Sequence, residues 1–244
     1  MSAGRLLRAD ALVPVPWRNG LGITREIAVM PPGAGPEDFL WRVSLADVVG
    51  AAPFSRFPGV DRTIVLIDGV GFRMTLDGTQ VHDLTTPCAP FAFPGEAEVA
   101  VALAACRTLL GRAASPAVRP LFPPLRRPME PPWADETSKI RPRTADFSPR
   151  PAKPDRLLAD GATRDFNLML RRGRASGGVE VWRGSGRHVC PADVVLLYAV
   201  QGPIVTPAGT LAAGDSWLPG APPAGDVALA AQALALIVRV HAAD

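Results

Sequence analysis

Residues 163–173 read TRDFNLMLRRG, and this stretch sets the fold class. Side chains on a strand alternate between its two faces. Phe166, Leu168 and Leu170 then point one way, and Asp165, Asn167, Met169 and Arg171 the other. The apolar stripe marks a strand with one face in a core. The polar stripe raises a question, because solubility alone does not call for an acid, an amide and an arginine on a single strand face.

Short strands and tight turns continue on both sides of it. Asn19-Gly20 signals a turn and Ile23–Val29 a strand. FLWRVSLADV (39–48) places Trp41, Val43 and Leu45 opposite Arg42 and Ser44, and the loop GAAPFSRFPGVDR (50–62) holds Ser55, Asp61 and Arg62. TIVLIDG, VGFRMTLDG and TQVHDL then have the spacing of a β-meander. The stretch VLIDGVGFRMTLDGT, with FAFPGE after it, is echoed by LLYAVQGPIVTPAGT and SWLPGA. Two copies of one β-unit fit an all-β double jelly roll. A plain meander and a single large barrel are the competing architectures.

Between the copies, residues 111–156 hold eleven of the 27 prolines. That density excludes helix interiors and central strands, so the segment reads as an irregular insertion. The expected organisation is a first half at 1–110, the insertion at 111–156 and a second half at 157–244. The sequence pI of 9.1 belongs largely to the insertion, which carries ten Lys and Arg against five Asp and Glu. From a formal net charge of +3, the remainder sums to −2, which gives no argument for nucleic acid. Three cysteines with no CxxC spacing suit a reducing compartment. The N-terminus lacks a signal peptide's apolar centre, and the run VALAAQALALIVRV is short of the roughly 20 residues of a membrane helix. A cytoplasmic protein with no membrane partner is expected.

His82, His188 and His241 are scattered and lack metal-ligand spacing, so neither a metal nor a cofactor is expected. No Gly-x-Ser-x-Gly elbow occurs, and the glycines of GVGFRMTLDG sit in a hairpin rather than before a helix. What remains is a set of polar residues on strands. In the bland reading, arginines and acids satisfy one another inside the sheets. In the sharper one they form a cup for a small anion, since the guanidinium fork suits carboxylate.

Four stretches resemble the HutD/Ves family, bicupin proteins associated with histidine utilisation. They are PWRNGLGITREI (16–27), WRVSLADV (41–48), GAAPFSRFPGVDR (50–62) and TRDFNLMLRRG (163–173). Leu21 interrupts the run of glycines that the family has after Asn19-Gly20. The resemblance implies two cupin-like jelly rolls, a homodimer, and binding of formylglutamate or a related small anionic metabolite to restrain histidine catabolism. A cupin enzyme acting on a small carboxylate is the alternative. Matched by motif, Asn19, Thr24, Arg25, Arg42, Ser44, Asn167 and Arg171 are candidate ligand-binding residues. Arg25, Arg42 and Arg171 would anchor carboxylate, and Ser44 and Asn167 would orient the ligand. Glu26, Ser55, Asp61, Arg62 and Asp165 would support them.

Overall fold

Thr163–Arg171 is a strand, buried on both faces over most of its length. A computed structural model of the chain describes residues 3–51, 53–103, 162–220 and 225–243. In chain order its strands are β1 (Arg5–Leu7), β2 (Pro14–Pro16), β3 (Gly22–Met30), β4 (Trp41–Val48), β5 (Val60–Gly69), β6 (Phe72–Leu76), β7 (Gln80–Leu84), β8 (Phe91–Pro94) and β9 (Val99–Leu103). They continue as β10 (Thr163–Arg171), β11 (Ala175–Arg183), β12 (Gly186–Val189), β13 (Val194–Gln201), β14 (Ile204–Thr206), β15 (Gly209–Leu211), β16 (Ser216–Leu218), β17 (Asp226–Leu229) and β18 (Leu234–Ala242). One 3-10 turn, Ala9–Ala11, is the only helical element among the described residues.

The strands form four antiparallel sheets. A six-stranded sheet in the order β2-β3-β4-β10-β5-β8 faces a three-stranded one, β7-β6-β9. Between them lie Val48, Ile64, Leu66, Phe72, Met74 and Leu84. A five-stranded sheet, β1-β16-β13-β18-β11, and a four-stranded one, β12-β17-β14-β15, enclose Leu197, Ile204, Trp217 and Ile237. The two large sheets then pack on each other. Trp41, Val43, Leu45, Phe166 and Leu168 from one meet Leu196, Tyr198, Leu236 and Val238 from the other. The result is all-β: two cupin-type jelly rolls, back to back.

The internal echo is visible in the pairing. β8 pairs with β5 as β16 does with β13, and β6 with β7 and β9 as β14 with β15 and β17. β10 pairs with β4 and β5, as β18 pairs with β11 and β13. The strand expected to open a second half at 157–244 therefore completes the first roll. Conversely, β1 joins the second roll beside β16. There Trp217 donates to the Ala3 carbonyl at 2.9 Å, and Asp215 accepts from Arg8 and the Ala9 amide at 2.6 and 3.0 Å. Sequence halves and spatial halves thus differ, because β10 finds hydrogen-bond partners for both its edges between β4 and β5. The insertion expected at 111–156 and residues 104–110 of the expected first half lie outside the described residues.

Phe166 is fully buried at the junction of the rolls, its ring 5.5 Å from that of Tyr198. Phe166→Ala should cost about 3–5 kcal/mol. Urea unfolding should show that loss within one transition, because β10 belongs to the cores of both large-sheet faces.

Candidate functional site

The register of β10 lays the polar residues of the first roll out in rows across its inner face. Met169 stands between Arg42 on β4 and Arg62 on β5. In the next row Asn167 lies between Ser44 and Ile64, with Glu26 of β3 beyond Ser44. Below it Asp165 lies between Ala46 and Leu66, with Thr24 beyond Ala46. Neighbouring strands are about 4.8 Å apart, so the two arginines start roughly 10 Å from each other. Asp61 and Arg62, expected in a loop, are strand residues, because pairing with β10 extends β5 back to Val60.

Arg62 is the centre of this group. It is buried, and its guanidinium lies 5.2, 5.6 and 5.0 Å from the rings of Phe54, Phe57 and Phe93. Three aromatic faces stabilise a cation there without quenching its charge. Nη2 donates to Asn167 Oδ1 at 2.9 Å, Nη1 makes a long contact of 3.5 Å to the Ser55 carbonyl, and Nε has no partner. Asn167 in turn donates from Nδ2 to Asp165 Oδ1, leaving Asp165 Oδ2 unpartnered. One amide thus bridges a buried cation and a buried acid. Burial pushes the Asp165 carboxyl up to about 7, against the Arg62 charge and the Asn167 hydrogen bond, with Asp47 adding to the rise. Burial lowers Arg62 to about 10, with Asp165 opposing and Arg42 assisting. At the rim, Arg42 donates to Glu26 at 2.7 Å, and the Trp17 indole donates to Thr24 at 2.8 Å. Ser44 is buried between them.

The other expected residues lie elsewhere. Arg25 points to the opposite face of the sheet and donates to Asp47 at 2.5 Å, while Arg164 grips the same carboxylate at 2.6 and 3.1 Å. Arg171 follows the inner-face parity but sits at the strand's end. There it stacks on Phe39 at 4.8 Å and donates to the carbonyls of Pro36 and Glu37 at 2.9 and 3.0 Å. Asp61 and Glu96 hold Arg172 at the surface. Asn19 caps its own turn, accepting from the Leu21 amide at 3.0 Å. Ser55 contributes its carbonyl only through the long Arg62 contact. The inner face therefore brings together Thr24, Glu26, Arg42, Ser44, Arg62, Asp165 and Asn167, and leaves out Asn19, Arg25, Asp61 and Arg171.

Sequence reasoning missed Asp47, Arg164, Trp17 and the phenylalanine box. Arg164 could have been found, since it alternates onto the apolar face of β10 and a charge there needs a partner. The box could not, because Phe54, Phe57 and Phe93 meet only in three dimensions.

Among the described residues no cluster of His, Cys, Asp and Glu side chains could hold a metal ion, and no helix is long and apolar enough to cross a membrane. A cleft of about 430 Å³ opens at the edges of the two large sheets, between Ile27, Met30 and Trp41 on one side and Val195 and Leu218 on the other. Its walls are mostly apolar, with Arg5 and Glu26 among them, and neither Arg62 nor Asn167 lines it. The chemistry-bearing groups are in the roll instead.

Fold and site define a bicupin with an arginine-bearing polar interior in its first roll. The chain belongs to the HutD family, which is linked to histidine utilisation. The family's model matches residues 9–109 and 152–237, passing over the proline-rich segment between them. Over 143 residues, 57% of this chain and 69% of the other, it is 36% identical to an uncharacterised 21.2 kDa protein of the hutC 3′ region of Pseudomonas putida. It is 41% identical to protein Ves of Escherichia fergusonii over 80 residues, 33% of this chain and 40% of that one. HutD from Pseudomonas fluorescens SBW25, solved in a formate condition, has the same fold at 24% identity. The TM-score is 0.65, over 98% of this chain and 99% of that one.

Burial works to raise the Asp47 carboxyl, but hydrogen bonds from Arg164 and Arg25 outweigh it and hold the group below its ordinary 3.8. Its stabilising effect is therefore complete above pH 3.8 and lost as pH falls through the lower, folded value. Asp47→Asn should remove about 3 kcal/mol at neutral pH, since both arginines lose their counter-ion. Chemical denaturation across acid pH should show the difference from wild type shrinking below about pH 4.

Proposed function

We propose that the first roll binds a small anionic acyl-glutamate or a related intermediate of histidine breakdown, and that occupancy modulates histidine utilisation with no reaction catalysed. Formylglutamate is the leading candidate. The observation that carries this reading is the buried Arg62 guanidinium, with one nitrogen unpartnered and Arg42 across Met169 from it. A jelly roll has no structural need for such a group. The second roll fills the corresponding space with Leu197, Ala235, Ile237 and Trp217. Arg42, about a quarter exposed and held by Glu26, receives the ligand's carboxylate at the mouth. Ser44 and Asn167 orient the acyl amide, and Arg62 supplies the positive potential beneath. The protein acts in the cytoplasm as a homodimer, which light scattering of the purified chain checks.

Thermal unfolding against formylglutamate, formiminoglutamate, urocanate, histidine and glutamate tests the reading. A ligand at about 100 times its dissociation constant stabilises by about 2.7 kcal/mol, which is roughly 5–10 °C for a chain of this size. An acyl-glutamate should give that shift and histidine should not. Arg42→Ala should lose most of the shift while its unliganded melting temperature stays close to wild type, since a solvent-accessible pair at the rim contributes little to folding. A flat response to all five compounds would sink the proposal.

A further inference from the structure

The polar interior of the first roll contains its own acid. Asp165 is fully buried, accepts one hydrogen bond from an uncharged amide, and has a second oxygen with no partner. Such a site is poor for an isolated carboxylate and tolerable for a neutral acid. The nearest reason for it to ionise is Arg62, on the far side of Asn167. The bridging amide is oriented for that state, accepting from the cation and donating to the acid.

The other charged groups around the pair are already engaged. Arg42 on β4 is held by Glu26 of β3, and Asp47, on the opposite face of β4, by Arg25 and Arg164. From the three-stranded sheet, His82 of β7 stacks on Phe91 at 3.6 Å, and Arg73 of β6 pairs with Asp83 of β7 on the exposed side. The residues between that sheet and the pair are apolar, among them Leu66, Phe72 and Leu84. Asp165 and Arg62 are the opposite charges that act on one another, with Arg42 and Asp47 working against the pair.

We propose that Asp165 is the internal counter-ion of Arg62, giving way to an incoming anion by taking up one proton, so that it sets the first roll's preference for anionic over neutral ligands. This rests on the ligand reading above. Before binding, ionised Asp165 offsets Arg62. When a carboxylate arrives near Arg62 and Arg42, two anions cannot share that potential, and Asp165 becomes a neutral acid. One proton enters for the one carboxylate that reaches Arg62, so that carboxylate and proton together leave the charge around Arg62 unchanged, while the ligand's other carboxylate pairs with Arg42 at the rim. At low pH the proton is already in place. At high pH each binding event must draw it from solution.

The test is calorimetric titration of the full chain with formylglutamate from about pH 6 to about pH 9, in buffers of contrasting ionisation enthalpy. Uptake should rise towards one proton per ligand above about pH 7, and affinity should fall towards tenfold per pH unit. Formylglutamine, with its side-chain carboxylate replaced by an amide, should show a smaller slope. Asp165→Asn, isosteric with the protonated acid, should bind formylglutamate with wild-type low-pH affinity at every pH. Binding without proton uptake, or with a slope that survives in Asp165→Asn, overturns the counter-ion role and leaves the ligand reading standing. No binding at any pH removes the ligand reading and this inference with it. A measurement without ligand or variant concerns Asp165 alone. Because its folded pKa is raised above the unfolded value, wild-type stability should decline as pH rises from about 4 to about 7. Asp165→Asn should lack that decline, and its presence in both proteins would also overturn the proposal.

Discussion

A guanidinium buried inside a jelly roll constrains everything around it. Arg62 cannot shed its charge at neutral pH and has no carboxylate in direct contact, so the surrounding strands must make its burial tolerable. Three phenylalanine faces do part of this, and the Asn167 carbonyl does the rest. Both depend on register. A slip of one residue in β10 would turn Asn167 and Asp165 towards the second roll and bring Phe166 and Leu168 against the guanidinium. The packing of the two large sheets thereby fixes the chemistry of the cup, because the stripe that glues the rolls together sits on the strand whose other face carries the site.

This coupling explains why some features were legible in the sequence. Alternation in TRDFNLMLRRG separates the glue from the chemistry, and the echo between residues 65–96 and 196–220 reports the duplicated roll. Pairing partners were not legible. Nothing local says that β10 closes the first roll across a long inserted segment, nor that β1 docks on the second. Strand exchange is a property of long-range pairing, and a period-two pattern carries no information about which edge a strand will join.

The same limit separates the arginines. Arg25, Arg42 and Arg171 read alike as strand arginines beside apolar neighbours, while Arg62 reads as a loop residue. Arg42 and Arg62 face inward. Arg25 faces outward because β3 presents it on the side of Ile23, where Asp47 and Arg164 wait. Arg171 keeps the inward parity, yet falls where β10 runs out of partners, and its donors go to carbonyls of the loop before β4. Parity predicts the face of a side chain. Position along the strand decides whether that face is lined by a cup or by loop backbone.

Duplication also supplies an internal control. β18 occupies in the second roll the place that β10 has in the first, and its inner face presents Ala235 and Ile237 before Arg239, which pairs with Asp193 and Glu180 near the strand's end. The second roll closes with Trp217 and Leu197 at its centre, and its inner-face charge, Arg239, stands part-exposed with both its acids in direct contact, unlike the buried Arg62. The two rolls share one architecture and differ in what fills them, so the fold does not require the Arg62–Asn167–Asp165 relay. A buried charge set that its own twin does without is destabilising compared with an apolar filling. Its presence beside an apolar alternative is therefore an argument from energetics that favours the first roll, over the second, for the proposed ligand.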